Sequence, residues 1–319
     1  MSKKNVAIIG LGGVGGYFGF KINQTNKSNQ IIFIVRGKTF ETIKANGLTL
    51  VSPEHKESIT SPNVVLDRIS HLRKPDLVIL CVKEYDLDKA CHELREVITE
   101  KTVLLPMMNG ADIYERIRSI IPTNPILPSC VYVASHIKEK GIVEHTGKPG
   151  KLFLGKDPQN FDAEISWIKD LLFESGIDFT FREDSLPDIW TKYIFIASFG
   201  LVTARYNSSI GEVVGNEYQK NKAIEIMTEI KEIALRKNID LGEDVIQLTF
   251  ERAKTFPFQT PTSLQLDVHS GKNENELPLF AGAIIKMGQE LGIETPKTKI
   301  IYDEITHILK GSLASHNKV

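Results

Sequence analysis

Near the start of the chain, Gly10-Leu11-Gly12-Gly13-Val14-Gly15 has the spacing GxGxxG. Each glycine in that spacing has a physical use. The first permits a tight turn, the second lets the backbone approach a pyrophosphate, and the third lets a helix pack closely on a strand. The helix that follows offers its N-terminal N–H groups and positive dipole end to the phosphates. The motif has meaning only between a strand and a helix. Val6-Ala7-Ile8-Ile9 reads as the strand, and Val14 to Gln24 as the helix. A second strand, Ile31 to Val35, ends in Arg36-Gly37-Lys38. NAD-binding units usually carry Asp or Glu at that end, to accept from the ribose hydroxyls. An arginine offers a planar fork to a 2′-phosphate instead. No acid stands beside it in the strand end, so the sequence predicts NADP(H) as cofactor.

A second candidate lies far along the chain. Lys192 sits among Ile189, Trp190, Tyr193, Ile194 and Phe195, on an apolar stretch with helical periodicity. A lysine there either snorkels to the surface or points into a pocket. In a pocket, burial disfavours the charged form, and such a lysine can serve as a general acid. The histidines offer less. His136, His269 and His307 lack metal-ligand spacing, and His145, before Thr146-Gly147, is a candidate for catalysis that reads more readily as a turn residue bonding its own loop. Cys81, Cys91 and Cys130 form no CxxC pair, so no metal and no disulfide framework are expected.

The elements that position these residues divide the chain. The first half alternates apolar strands with amphipathic stretches: Leu77 to Val82 and Thr102 to Leu105 are further strands, and Leu87 to Ile98 has helical spacing. Strands apolar on both faces imply a parallel sheet covered by helices. Between Pro122 and Gly155, prolines punctuate short runs, which read as an antiparallel extension of that sheet. A helix near Ala163 to Glu174 and a strand Ile177 to Phe181 close the domain. From Glu183 onward the periodicity is helical: Ile189 to Val202, Glu217 to Lys237, Glu243 to Lys254, Leu277 to Leu291 and Lys297 to Leu309. The expected architecture is an α/β Rossmann-type dinucleotide-binding domain over 1–182, followed by an all-α domain over 183–319. The tail from Ser312 is polar and expected to fray.

Several further motifs, taken in order, resemble the ketopantoate reductase family, and the likeness spans essentially the whole chain. They are the glycine motif with Val35-Arg36-Gly37, then Val82-Lys83, Asn109-Gly110, and Gly141 to Gly147 with its His145-Thr146-Gly147. Trp190-Thr191-Lys192 follows, then Thr262-Ser263 through Asp267, Gly271-Lys272 and Glu276-Leu277. The resemblance implies reduction of 2-dehydropantoate (ketopantoate) to pantoate with NADPH, a step of pantothenate biosynthesis. It implies Lys192 as general acid, and Asn109 at the nicotinamide end of the cofactor with Lys83 nearby, both also within reach of substrate. It implies Ser263 on the substrate carboxylate, and Glu276 on the substrate's hydroxyl end or supporting Lys192; one inserted residue leaves Glu274 as the alternative.

One departure bears on the substrate. Members of the family active on ketopantoate carry asparagines one and two helical turns after the lysine, where this chain has Ile196 and Gly200. Hydrogen bonds from those positions to substrate are missing, which favours another 2-oxo acid or a bulkier ketone as the second reading. A third, of a different class, is a regulator that senses NADPH without turning it over; such a protein needs no acid. A net charge of −1 gives no general attraction to nucleic acid or to an anionic membrane. No leader or membrane-length apolar run is visible, so the cytoplasm is the expected compartment. The expected partner is a small 2-oxo acid, with a homodimer through the helical domain in keeping with other dehydrogenases.

Overall fold

Near the N-terminus, runs of Val, Ile and Leu form strands because branched side chains pack on a pleated surface. In the computed structural model, which describes residues 3–26, 28–54, 56–270 and 274–316, twelve strands and the helices between them are seen. The contacts of the chain fall into two compact units, Met1–Leu186 and Pro187–Val319.

The first unit is built on five parallel strands. In chain order these are β1 (Asn5–Ile9), β2 (Gln30–Ile34), β5 (Val64–Leu66), β6 (Leu77–Leu80) and β7 (Val103–Pro106), arranged β5-β2-β1-β6-β7. Ala7 pairs with Ile32 on one side and Val78 on the other. Val6, Ile8, Ile31, Phe33, Leu77 and Ile79 are wholly buried. Each such side chain contributes about 1.5–3 kcal/mol on leaving water.

Two more sheets complete this unit. Strands β3 (Leu48–Ser52) and β4 (Lys56–Thr60) join β9 (Ser135–Glu139) and β10 (Ile142–His145) in the order β4-β3-β10-β9. Strands β8 (Ser129–Tyr132), β11 (Lys151–Gly155) and β12 (Asp178–Arg182) form a three-stranded sheet, with β8 antiparallel and β12 parallel to β11. The segment 122–155 is therefore not one extension of the parallel sheet. It splits between two sheets, and it meets the parallel sheet at the bridge Leu104–Ile126.

Helix α1 (Gly13–Thr25) packs against β1, β3, β9 and β10, between two sheets. Its glycines make this possible. A Cβ on Gly15 would overlap the Gly10 carbonyl, one on Gly13 the Ser135 carbonyl, and one on Gly16 the Val143 side chain. The remaining helices of the unit are α2 (Gly37–Asn46), α3 (Leu87–Arg95), α4 (Ile113–Ile120) and α5 (Ser166–Glu174). Beneath α4 lies Asp157, 1% exposed. It accepts from Arg118 at 2.6 Å, Tyr114 Oη–H at 2.7 Å and the Ile126 N–H at 2.9 Å.

The second unit is helical: α6 (Leu186–Tyr206), α7 (Ile210–Gly215), α8 (Glu217–Arg236), α9 (Val245–Ala253), α10 (Ser263–His269), α11 (Ala283–Leu291) and α12 (Pro296–His316). A π-helical turn, Pro278–Gly282, leads into α11. Helix α6 is apolar nearly all round and buried nearly all round. Glu229 of α8 holds the start of α12, accepting from the Lys297 N–H at 2.7 Å, the Thr298 N–H at 2.9 Å and the Thr298 hydroxyl at 2.6 Å. Ser209 caps α7 in a capping box with Glu212. Helix α12 runs on to His316, through the tail expected to fray. Among the described residues no helix is long and apolar enough to cross a membrane.

Candidate active site

The C-terminal ends of four neighbouring strands, β2, β1, β6 and β7, carry the residues singled out in the first unit. In open parallel sheets that edge is where ligands bind. Gly10 follows β1 with φ +87°, and a Cβ there would lie 2.7 Å from the Cys81 carbonyl oxygen. Gly12 caps α1 at its N-terminus, and nothing lies within 4 Å of where its Cβ would be. No side chain caps α1, and its first turn holds no acid. Backbone donors, a dipole end and open space together fit a pyrophosphate. Leu11 is buried beneath the turn, and Val14 opens the helix half-buried. Burial pushes the thiol of Cys81, beside the turn, up to about 12, which disfavours its thiolate form.

Arg36 stands two residues beyond β2 with its side chain 66% exposed. No acid of its own strand end adjoins it, but one from the turn after β6 does: Arg36 Nη2 lies 2.6 Å from Asp86 Oδ2. The two are 50 residues apart, so the strand end alone could not reveal the pair. Lys83 follows β6, exposed, and opens a single 3₁₀ turn, Glu84–Asp86. Asn109 follows β7, half-buried, ahead of Gly110 with φ +125°. His145 bonds its own loop, its Nε2 lying 2.9 Å from the Lys148 carbonyl, with its ring 4.6 Å from that of Tyr17.

In the helical unit, Lys192 is 8% exposed on α6, so its side chain is buried and does not snorkel to the surface. One turn on, Ile196 is half-buried. At Gly200 a Cβ would meet the Phe280 ring at 3.5 Å and the Leu264 Cβ at 3.8 Å. The space beside Gly200 is thus filled by an aromatic ring. Glu276 is 6% exposed, just before the π turn, whereas Glu274 is exposed. Ser263 is exposed at the first position of α10. Gly271 and Lys272 lie outside the described residues.

Three residues to which the sequence assigns no role in the site tie these segments together. Tyr193, next to Lys192, donates its hydroxyl to the Leu279 and Phe280 carbonyls at 2.9 and 3.0 Å. Thr203 lies 2.6 Å, hydroxyl to hydroxyl, from Thr262, which in turn caps the helix that Ser263 opens. Phe280 covers Gly200. A tyrosine and a threonine in an apolar helix signal buried polar partners, though not which ones. Among the described residues no group of His, Cys, Asp and Glu could hold a metal ion.

Comparison with known proteins agrees with this geometry over both units. The model of the family Ketopantoate reductase PanE/ApbA matches residues 6–159, and that of Ketopantoate reductase PanE/ApbA C terminal matches residues 184–309. The chain belongs to the ketopantoate reductase family. It is an oxidoreductase of that family, with the family's parallel-sheet α/β domain and helical C-terminal domain. A relative from Streptococcus pyogenes serotype M3, named 2-dehydropantoate 2-reductase, is 26% identical over 308 residues, covering 95% of this chain and 96% of its own. The crystal structure of a PanE/ApbA family ketopantoate reductase from Ralstonia eutropha JMP134 superposes with a TM-score of 0.85 at 23% identity, covering 97% of this chain and 99% of its own. D-mandelate dehydrogenase, solved with NADH and anilino(oxo)acetate, superposes with a TM-score of 0.83 at 20% identity, again covering 97% and 99%.

Proposed function

We propose that the protein reduces 2-dehydropantoate to pantoate with NADPH, a step of pantothenate biosynthesis. The observation that carries the reading is Lys192, a lysine only 8% exposed on an otherwise apolar helix. Burying such a group is costly, and a positioned general acid is a role that fits a lysine held there. In this reading Lys192 Nζ donates its proton to the ketone oxygen as negative charge develops there. Ser263 Oγ–H donates to the substrate carboxylate and fixes its orientation. Glu276 holds the substrate's hydroxyl end or steadies Lys192, and its burial beside the exposed Glu274 favours it for that part. Lys83 and Asn109 orient the reacting ends of cofactor and substrate. Gly10, Leu11, Gly12, Gly13, Val14 and Gly15 bind the pyrophosphate, and Arg36 the 2′-phosphate. The bound nicotinamide supplies the hydride. The dehydrogenase solved with NADH supports a nicotinamide dinucleotide as the class of cofactor, and the name of the S. pyogenes relative supports the substrate.

A second reading keeps the reaction and changes the substrate to a 2-oxo acid with an apolar side chain. Ile196 and the Phe280 ring over Gly200 favour it, because they present hydrocarbon one and two turns beyond Lys192. The test is NADPH oxidation by the purified protein with 2-dehydropantoate and a panel of 2-oxo acids. Turnover of 2-dehydropantoate that is lost in Lys192→Ala supports the first reading. Turnover confined to apolar 2-oxo acids selects the second. Full activity in Lys192→Ala would overturn both.

A further inference from the structure

The Arg36–Asp86 pair lies across the strand that carries the glycine turn. β2 and β6 flank β1 in the sheet; Arg36 comes from the end of β2, and Asp86 from the turn after β6. The position of Asp86 is not accidental. Its N–H donates to the Lys83 carbonyl at 3.0 Å. The neighbouring acids are already engaged by Arg116 of α4, whose Nη1 donates to Glu84 Oε1 at 2.6 Å and whose Nη2 donates to Asp88 Oδ1 at 2.8 Å. That clamp fixes the turn and leaves the carboxylate of Asp86 to Arg36. Both partners keep water contact, with side chains 66% and 26% exposed. A surface pair of this kind is weak enough for a ligand to open.

We propose that Asp86 is a cofactor-specificity residue, whose carboxylate opposes the 2′-phosphate and narrows the preference for NADPH over NADH. The inference rests on the reading that Arg36 faces the adenosine ribose. A guanidinium grips a phosphate best when its fork is free to bind two oxygens. Here one nitrogen of the fork already donates to a carboxylate. A 2′-phosphate drawn to Arg36 must displace that carboxylate and then sit beside it, like charge against like charge. The 2′-hydroxyl of NADH meets no such opposition and can donate to the same carboxylate, as the acidic strand ends of NAD-binding units arrange. One ion pair thus serves both cofactors moderately.

The experiment is calorimetric titration of NADPH and NADH into the wild-type protein, Asp86→Asn and Arg36→Ala, with no substrate present. Asparagine keeps the shape and leaves the Arg116 clamp untouched. The wild-type dissociation constants are expected to differ by less than about 10-fold, and Asp86→Asn to widen that ratio toward NADPH by about 10-fold or more. Arg36→Ala is expected to weaken NADPH selectively. A ratio unchanged in Asp86→Asn, or a wild-type ratio already as wide as the variant's, overturns the role of Asp86. Equal weakening of both cofactors in Arg36→Ala overturns the assignment of Arg36 on which it rests. Binding of neither cofactor by the wild-type protein overturns the nucleotide reading itself, and none of these outcomes depends on which 2-oxo acid is reduced.

Discussion

Gly10, Gly13 and Gly15 shape the candidate nucleotide site by what they lack, whereas Lys192, Thr203 and Glu276 are held in the helical unit by what surrounds them. Around the glycine turn of the first unit the proposed ligand-facing groups are backbone N–H donors, and the sequence places them by removing side chains where helix, strand and loop must touch. In the second unit the groups are side chains, carried on a buried helix and on segments bonded to it through Tyr193 and Thr203. The difference teaches where each unit is vulnerable. Adding a methyl group breaks the first; removing a functional group breaks the second.

The largest expected effect is on the side-chain half. Lys192→Ala removes the proposed acid and should lower kcat by about 10²- to 10⁴-fold, the usual range for a positioned general acid. Cofactor affinity by titration should not change, since the glycine turn is untouched. A loss of kcat below tenfold would remove Lys192 from the chemistry. Next comes a side chain of the N-terminal unit that works in the manner of the helical one. Burial alone would push the Asp157 carboxyl up, but the N–H groups of Gln159 and Ile126, the Tyr114 hydroxyl and Asn160 outweigh it and hold it below its ordinary value. Asp157→Asn leaves Arg118 buried without its counter-charge and should cost about 3 kcal/mol in urea unfolding. With the folded value below the unfolded one of about 3.9, the stabilisation is present above that pH and is lost as pH falls through the folded value. A stability curve for Asp157→Asn as steep below pH 4 as that of wild type would contradict this.

What the sequence showed follows the same division. The glycine motif, its strand and its helix are local, and they were legible because each residue type has a backbone reason to be where it is. Helices α6, α8 and α12 were legible from periodicity to within a few residues, except that α12 continues past Leu309. The sheet of β3, β4, β9 and β10 was not. Lys56 to Thr60 is polar and exposed along most of its length, and Thr49 pairs with Ile142 far along the chain. Asp86 was missed for the same reason, because its partner is distant in sequence. Nor was the packing of Phe280 legible, since it depends on the absence of a side chain at Gly200.

The backbone half can be tested with a pair of alanines. Gly15→Ala sets a Cβ into the Gly10 carbonyl and 2.8 Å from the Cys81 Cβ. Backbone cannot yield there, so α1 must move off β1. The cost should be about 1–3 kcal/mol of stability, in spite of alanine's better helix propensity, with loss of cofactor binding. Gly12→Ala meets nothing within 4 Å and has an ordinary φ. Its melting temperature should stay within a degree or two of wild type while cofactor affinity falls, because the new methyl group occupies the space proposed for the pyrophosphate. Equal effects of the two substitutions on stability would mean that the glycines serve the ligand alone and not the packing.

The smallest effect concerns the apolar wall beyond Lys192. Two substrates separate the readings: 2-dehydropantoate, and 3,3-dimethyl-2-oxobutanoate, which differs from it by one hydroxyl group. Ile196 is half-buried, so an asparagine there has room to turn its amide toward a substrate hydroxyl. Ile196→Asn should raise kcat/KM for the hydroxylated substrate relative to the other by about 2- to 10-fold, the worth of one neutral hydrogen bond. Gly200→Asn should give no such gain. Its Cβ would fit at 3.5 Å from Phe280, but the amide beyond it would meet the ring, which is 2% exposed and has no room to retreat. Gly200→Asn combined with Phe280→Ala should recover the gain if the ring is what blocks position 200. If the double variant behaves like the single one, the wall at Gly200 does not face substrate, and Ile196 alone sets the polarity of that side.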